Sequence, residues 1–158
     1  MARIIPNENS WIGFTPTVAS VSAPTAANIT AAVNLTPYVI SINASSRGNT
    51  VPTPSFDSLF ETSIAGTVQA TFDADFYRDD SADLAWATLP RATDGFFIIS
   101  RFGGAGADHK PIALDVVEVW PVLIVSRTMA NMSNNTVLTF TASASVPVEP
   151  VEDAVVAA

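Results

Sequence analysis

The chain has 158 residues and a mass of 16.6 kDa, the size of one domain with one core. Fifteen acidic side chains against seven basic ones leave a net charge of −8, which argues against a nucleic-acid-binding face built on clustered Lys and Arg. Cysteine is absent and there is one His, so disulfides, thiolate catalysis, cysteine-held metals and triad chemistry have nothing to rest on.

In chain order, residues 1–23 read as an N-terminal arm whose one apolar anchor is WIGF, Trp11 to Phe14. The main domain is expected over residues 24–146. Pro24 stands where a short helix can begin, over Thr25 to Val33, and Pro37 limits it. Residues 43–60 mix Pro52, Pro54 and Gly48 with Ser, Thr and Asn; without periodicity they predict a long loop, of the kind that is often functional. Val68, Ala70, Phe72, Ala74 and Phe76 alternate with polar residues from Thr67 to Tyr77, the period of a half-buried strand. A helix is expected next, capped by Asp80 or Ser81, with Ala82, Ala85, Trp86 and Leu89 on one face and Pro90 ending it. Phe96 to Arg101 reads as a strand apolar on both faces, and GGAGADHKP, Gly103 to Pro111, as a turn. A long strand should follow from Ile112 to Arg127, with Pro121 marking a bulge, a break or an edge position. The last strand, Thr136 to Val146, sets Leu138, Phe140, Ala142 and Ala144 against a hydroxyl face of Thr139, Thr141, Ser143 and Ser145. Residues 147–158 are expected to be a disordered tail or an arm that adds to a neighbour. The class is antiparallel β with a flanking helix.

Hydrophobic residues make up 48% of the chain and charged residues 14%, with a mean hydropathy of +0.32. So few charges leave little to cover an outer surface. No apolar run approaches the roughly 20 residues of a membrane span, and MARIIPNENS lacks the apolar centre of a signal peptide. Burial against other copies is the remaining explanation.

Motifs for chemistry are lacking. Asp73, Asp75, Asp79, Asp80 and Asp83 form the densest carboxylate group, but a calcium loop would need an oxygen ligand at Tyr77, Gly at Arg78 and Glu at Leu84. The Gly-rich turn has neither phosphate-loop spacing nor a Ser or Thr after Lys110. His109 reads as a surface residue, and no Ser sits in a nucleophile elbow. Five Asn-x-Ser/Thr sequons, at Asn28, Asn34, Asn43, Asn131 and Asn134, fit a turn-rich composition. No catalytic, cofactor-binding or metal-binding residue is assigned, and no enzyme is expected.

Thr67 to Gly103, TVQATFDADFYRDDSADLAWATLPRATDGFFIISRFG, resembles the major tail tube protein of long-tailed bacteriophages, particularly those of actinobacteria. The combination of DLAWATLP with GFFIISR carries most of the likeness, which extends upstream over Ser22 to Val39 and downstream to Val119–Val122. The resemblance implies an antiparallel β-sandwich or partial barrel flanked by one helix, in a structural virion protein of the tail. It further implies homo-hexameric rings that stack into a hollow tube, built around a tape-measure protein and closed by a tail terminator. Genomic DNA would leave through the lumen without specific binding, and the non-contractile kind of tail is favoured.

On that reading Asp73 and Asp75 are the first candidates for the lumen wall, and Thr139, Thr141, Ser143 and Ser145 the second. An acidic lumen would keep passing phosphates from sticking. Contacts between subunits or rings are expected from Trp11, Phe14, Arg47, Phe56, Val148 and Val151, although Trp11 and Phe14 could equally be packing anchors. The alternatives are a tail terminator, a capsid decoration protein, or a carbohydrate- or protein-binding β-sandwich using Tyr38, Phe56 and Tyr77 as a platform.

Overall fold

A computed structural model describes residues 9–54, 60 and 62–158. Its elements are β1 (Trp11–Thr15), α1 (Ala26–Ala31), β2 (Val33–Asn34), β3 (Val39–Thr53), β4 (Thr62–Tyr77), α2 (Leu84–Thr88), β5 (Asp94–Ser100), β6 (Val116–Met129), β7 (Thr139–Ser145) and β8 (Val151–Val155). The strands form one antiparallel sheet in the order β2-β1-β5-β6-β7-β4-β3, with β8 also paired to β6. The sheet curls without closing. Ser46 of β3 donates to Glu152 of β8 at 3.0 Å, so strands far apart in sheet order approach each other.

The alternation in β4 and β7 does what period-two patterns do. Phe72, Ala74 and Phe76 pair with Ala144, Ala142 and Phe140, and all point into the main core. Phe72 stacks on Phe97 at 4.6 Å between centroids, and Phe76 on Phe140 at 5.2 Å. β5 is apolar on both faces because both are covered. Phe97 and Ile99 enter the main core, while Ile98 joins Trp11, Ile29, Val117, Val119, Ala154 and Val156 in a second cluster under α1 and β8. Gly13 is required here, because a Cβ at that position would lie 2.2 Å from the Trp11 indole.

Four expectations are corrected. The loop over residues 43–60 is largely strand: β3 pairs with β4 from Val39↔Phe76 to Thr53↔Thr62. Its outer half has no buried face, so no apolar period marked it, and Pro52 is accommodated because β3 is an edge strand. The N-terminal arm ends earlier than expected, since β1 lies inside the sheet between β2 and β5. The tail beyond Pro147 is neither disordered nor detached: β8 pairs with β6, and Ala154 and Val156 are buried. The second helix is shorter than expected and starts after Asp83, not Asp80 or Ser81. Asp83 takes a left-handed conformation (φ 43°), and its carboxylate accepts from Arg78 Nε at 2.6 Å instead of capping the helix.

Two proline signals are explained by pairing. Thr25, after Pro24, caps α1 in a reciprocal box: Asn28 N donates to Thr25 Oγ1 at 3.2 Å, and Thr25 N donates to Asn28 Oδ1 at 3.0 Å. Thr25→Ala should therefore cost about 1 kcal/mol, read as a lowered urea midpoint with unchanged slope. Pro121 falls where β6 leaves β8, last paired at Val119, and has not yet met β7, first paired at Leu123. It pairs with Phe96 of β5 on its other side, so it holds an edge position within a central strand.

Candidate functional site: a polar face across four strands

Residues directly opposite in an antiparallel ladder share a face. In β4 and β7 the pairs are Asp75↔Thr141, Asp73↔Ser143 and Thr71↔Ser145. The two sets of candidate lumen residues, reached separately from sequence, are therefore one surface. β3 extends it with Ser41↔Asp75, Asn43↔Asp73, Ser45↔Thr71 and Arg47↔Gln69. β6 extends it on the other side with Thr128↔Thr141 and Ser126↔Ser143. The back of the same strands carries the main core, so this face looks outward, and Asp73, Asp75, Thr139, Thr141 and Ser143 are half-exposed on it.

Ordering within the face comes from hydroxyls. Ser41 Oγ donates to Asp75 Oδ2 at 2.7 Å and Thr141 Oγ1 donates to Asp75 Oδ1 at 2.5 Å, so one carboxylate links β3, β4 and β7. Ser45 and Thr71 hydroxyls meet at 3.1 Å. The bonds from Ser41 and Thr141 hold the Asp75 carboxyl below the usual carboxylate range, because both donors favour the ionised form. A carboxyl depressed in the folded state adds stability above its unfolded value, and that contribution is lost as pH falls through the folded one. Asp75→Asn should accordingly flatten the loss of stability between about pH 5 and pH 2, measured by thermal melts across that range.

Charge on the face is low. Asp73 and Asp75 against Arg47 leave −1 of the chain's −8, so most of the acidity lies elsewhere. The two lateral borders of the face are unpaired edges among the described residues. β3 has β4 on one side only, and β6 beyond Ile124 has β7 on one side only.

The expected contact residues divide. Trp11 and Phe14 are 1% and 3% exposed, core side chains and not surface contacts. Arg47 is exposed at the end of the polar face, and Val148 is 59% exposed. Val151 packs half-buried against the second cluster, and Phe56 lies outside the described residues. Of the aromatic residues named for a platform, Tyr38 packs against the main core and Tyr77 is exposed. Sequence reading missed Ser41, Asn43, Ser45, Gln69 and Thr71 of β3 and β4 and Ser126 and Thr128 of β6. The alternation of Ser41, Asn43 and Ser45 with Ile42 and Ala44 was the available signal, hidden by the prolines that follow.

Among the described residues no helix is long and apolar enough to cross a membrane, and no group of three or more His, Asp or Glu is placed to hold a metal ion.

No curated protein matches the sequence. Among solved structures, a chain of the sheath–tube complex of an extracellular contractile injection system (PVC) in its extended state aligns with a TM-score of 0.63 and 10% identity, over 96% of this chain and 93% of its own. A chain of the native gene transfer agent virion aligns with a TM-score of 0.59 and 12% identity, over 96% of this chain and 100% of its own. A chain of the tail of the empty gene transfer agent particle, refined with C6 symmetry, aligns with a TM-score of 0.56 and 14% identity, over 91% of this chain and 95% of its own. At such identities these likenesses speak for the fold. The profile of the phage tail tube protein family matches residues 1–158. This chain, an open antiparallel sheet whose outward polar face is bordered on both sides by unpaired strand edges among the described residues, belongs to the phage tail tube protein family and is a structural protein of the virion tail.

Proposed function

We propose that six copies of this chain close into a ring, that rings stack into the tail tube, and that the polar face of β3, β4, β7 and β6 lines the channel. The observation that carries this reading is the face itself: polar across four strands, backed by the core, and bordered by an unpaired edge on each side. An unpaired edge invites pairing with another chain. Here the borders are different strands, so β3 of one copy can lie beside the end of β6 in the next. Such a heterologous contact generates a ring when its rotation closes. The apolar composition then has a use, since ring and stacking contacts bury surface that one chain leaves exposed.

A wall of Ser, Thr, Asn and Gln side chains offers hydrogen bonds that water satisfies, and its near-neutral charge gives phosphates nothing to bind. In this reading the channel resists adhesion through low charge and hydroxyl hydration more than through strong repulsion. DNA passes without specific contacts, and a tape-measure protein and a tail terminator complete the assembly. Catalysis has no part in it.

Negative-stain electron microscopy of the purified protein, with light-scattering mass over a concentration series, tests the proposal. Hollow tubes or stacked six-fold rings are expected. Discrete rings that never lengthen under any condition would point to a terminator, and a monomer at every concentration would point to a binding module.

A further inference from the structure

Charge on the polar face is not evenly spread. Along β3 the face passes Ser41↔Asp75, Asn43↔Asp73, Ser45↔Thr71 and then Arg47↔Gln69. Both carboxylates lie at one end and the cation at the other. From Asn43 to Arg47 the strand advances about 13 Å, at about 3.3 Å per residue. Strands tilted by about 45° would still hold these two levels about 9 Å apart along a tube axis. That exceeds the Debye length of about 8 Å at physiological ionic strength, so the two levels act as separate bands. In a ring, one band carries two carboxylates per chain and the other one guanidinium per chain.

In the acidic band, hydroxyls of Ser41 and Thr141 already occupy both oxygens of Asp75. Arg47 belongs to neither ion pair found among the described residues, and it lines a groove of about 290 Å³ with Asn43, Ser45, Gln69 and Thr71. The Ser45 and Thr71 hydroxyls bond each other at 3.1 Å, which leaves the guanidinium and two side-chain amides as the groove's donors. That set fits a carboxylate, which a guanidinium grips through two parallel N–H···O bonds. Other acids near β3 belong to the reverse of the sheet. Ser46, on the back of β3, donates to Glu152, and Glu149 lines a cleft with Val68 and Ala70, whose side chains leave the back of β4. Asp57 and Glu61 lie outside the described residues.

We propose that the Arg47 groove takes a carboxylate side chain of a polypeptide lying in the channel. This rests on the tube reading and adds a binding level to the channel wall. Charge spacing selects a polypeptide over DNA. Duplex DNA carries one charge per about 1.7 Å of its axis, so it spans both bands at once and meets a net charge of the face that is negative. A polypeptide carries its charges at intervals. It can set a carboxylate at each guanidinium band and leave the acidic bands to neutral or basic residues. The occupant is then held in register with the ring repeat.

Co-sedimentation of assembled tubes with a fluorescent Gly/Ser peptide carrying widely spaced Glu residues tests this. Tubes of the unmodified chain should carry the peptide down, and should leave behind both its Gln counterpart and a duplex DNA oligonucleotide. Arg47→Gln, at an unchanged melting temperature, should weaken peptide binding at least about tenfold, because the charge-assisted bonds go with the guanidinium. Gln69→Glu sets a carboxylate directly opposite Arg47 in the ladder and should weaken binding as far, so it decides should Arg47→Gln fail to assemble. Unmodified tubes that leave the Glu peptide in solution, or variant tubes that bind it as well as unmodified ones, would overturn the inference and leave the tube reading intact. Equal binding of the duplex would overturn the choice of a polypeptide, in favour of an unselective anion ring. Unmodified protein that never forms tubes would overturn both readings.

Discussion

Phe72→Ala is expected to remove a large part of the stability of the chain. Phe72 is 1% exposed, stacked on Phe97 at 4.6 Å and tilted against Trp120 at 6.0 Å, so one ring joins β4 to β5 and β6. Truncating a buried Phe loses the transfer energy of the ring and leaves a cavity, for about 3–5 kcal/mol. A domain of this size has about 5–15 kcal/mol in total. The urea midpoint should fall steeply with an unchanged slope, and expression should shift toward insoluble material. Phe72→Leu, which keeps most of the apolar volume, should lose much less. A loss below about 1 kcal/mol for the alanine variant would show that the ring is not the joint between these strands. The effect on tubes follows indirectly, because Phe72 is the back of the same strand whose front carries Thr71 and Asp73.

Ser143→Lys is expected to do the opposite: leave the fold and break the function. Ser143 is half-exposed at the middle of the polar face, paired with Asp73 on β4 and Ser126 on β6. A lysine there can keep its ammonium in water, so the melting temperature should change little. If the face lines the channel, each ring gains a circle of cations. Tubes should then retain duplex DNA, with binding that weakens as salt rises at a log–log slope of about −0.9 per phosphate neutralised. Particles carrying the variant should deliver their genome poorly. Asp153→Lys is the control. It changes the net charge by more, but on β8, away from the polar face. Equal DNA retention by both variants would mean that net charge, not position, governs adhesion, and unchanged delivery by Ser143→Lys would remove this face from the channel.

The sequence by itself determined the elements whose pattern comes from burial on one side. The strands around Phe72 and Phe140, the two-faced apolar strand at Phe97 and the helix at Trp86 are all places where side-chain period reports contact with a core. The chemical character of the face was equally readable, because Asp73, Asp75 and the Thr139–Ser145 hydroxyls alternate with core residues whatever the fold. Composition determined that few charged side chains were available to cover an outer surface.

Only the tertiary structure decided what was one surface and what was two. Register joined the acidic strand to the hydroxyl strand, since nothing in either segment says which strand lies beside it. Pairing also decided the fate of the segments without a pattern. The outer half of β3 is solvated on both faces, so backbone bonds to β4 define it and no hydrophobic period does. Trp11 and Phe14 could have been surface anchors or core, and β1 entered the sheet because β5 had a free edge beside it. The tail closed the edge of β6 that β7 leaves open. Local sequence encodes which side of a segment is apolar. Which edges meet depends on contacts far apart in the chain, and those belong to the fold as a whole.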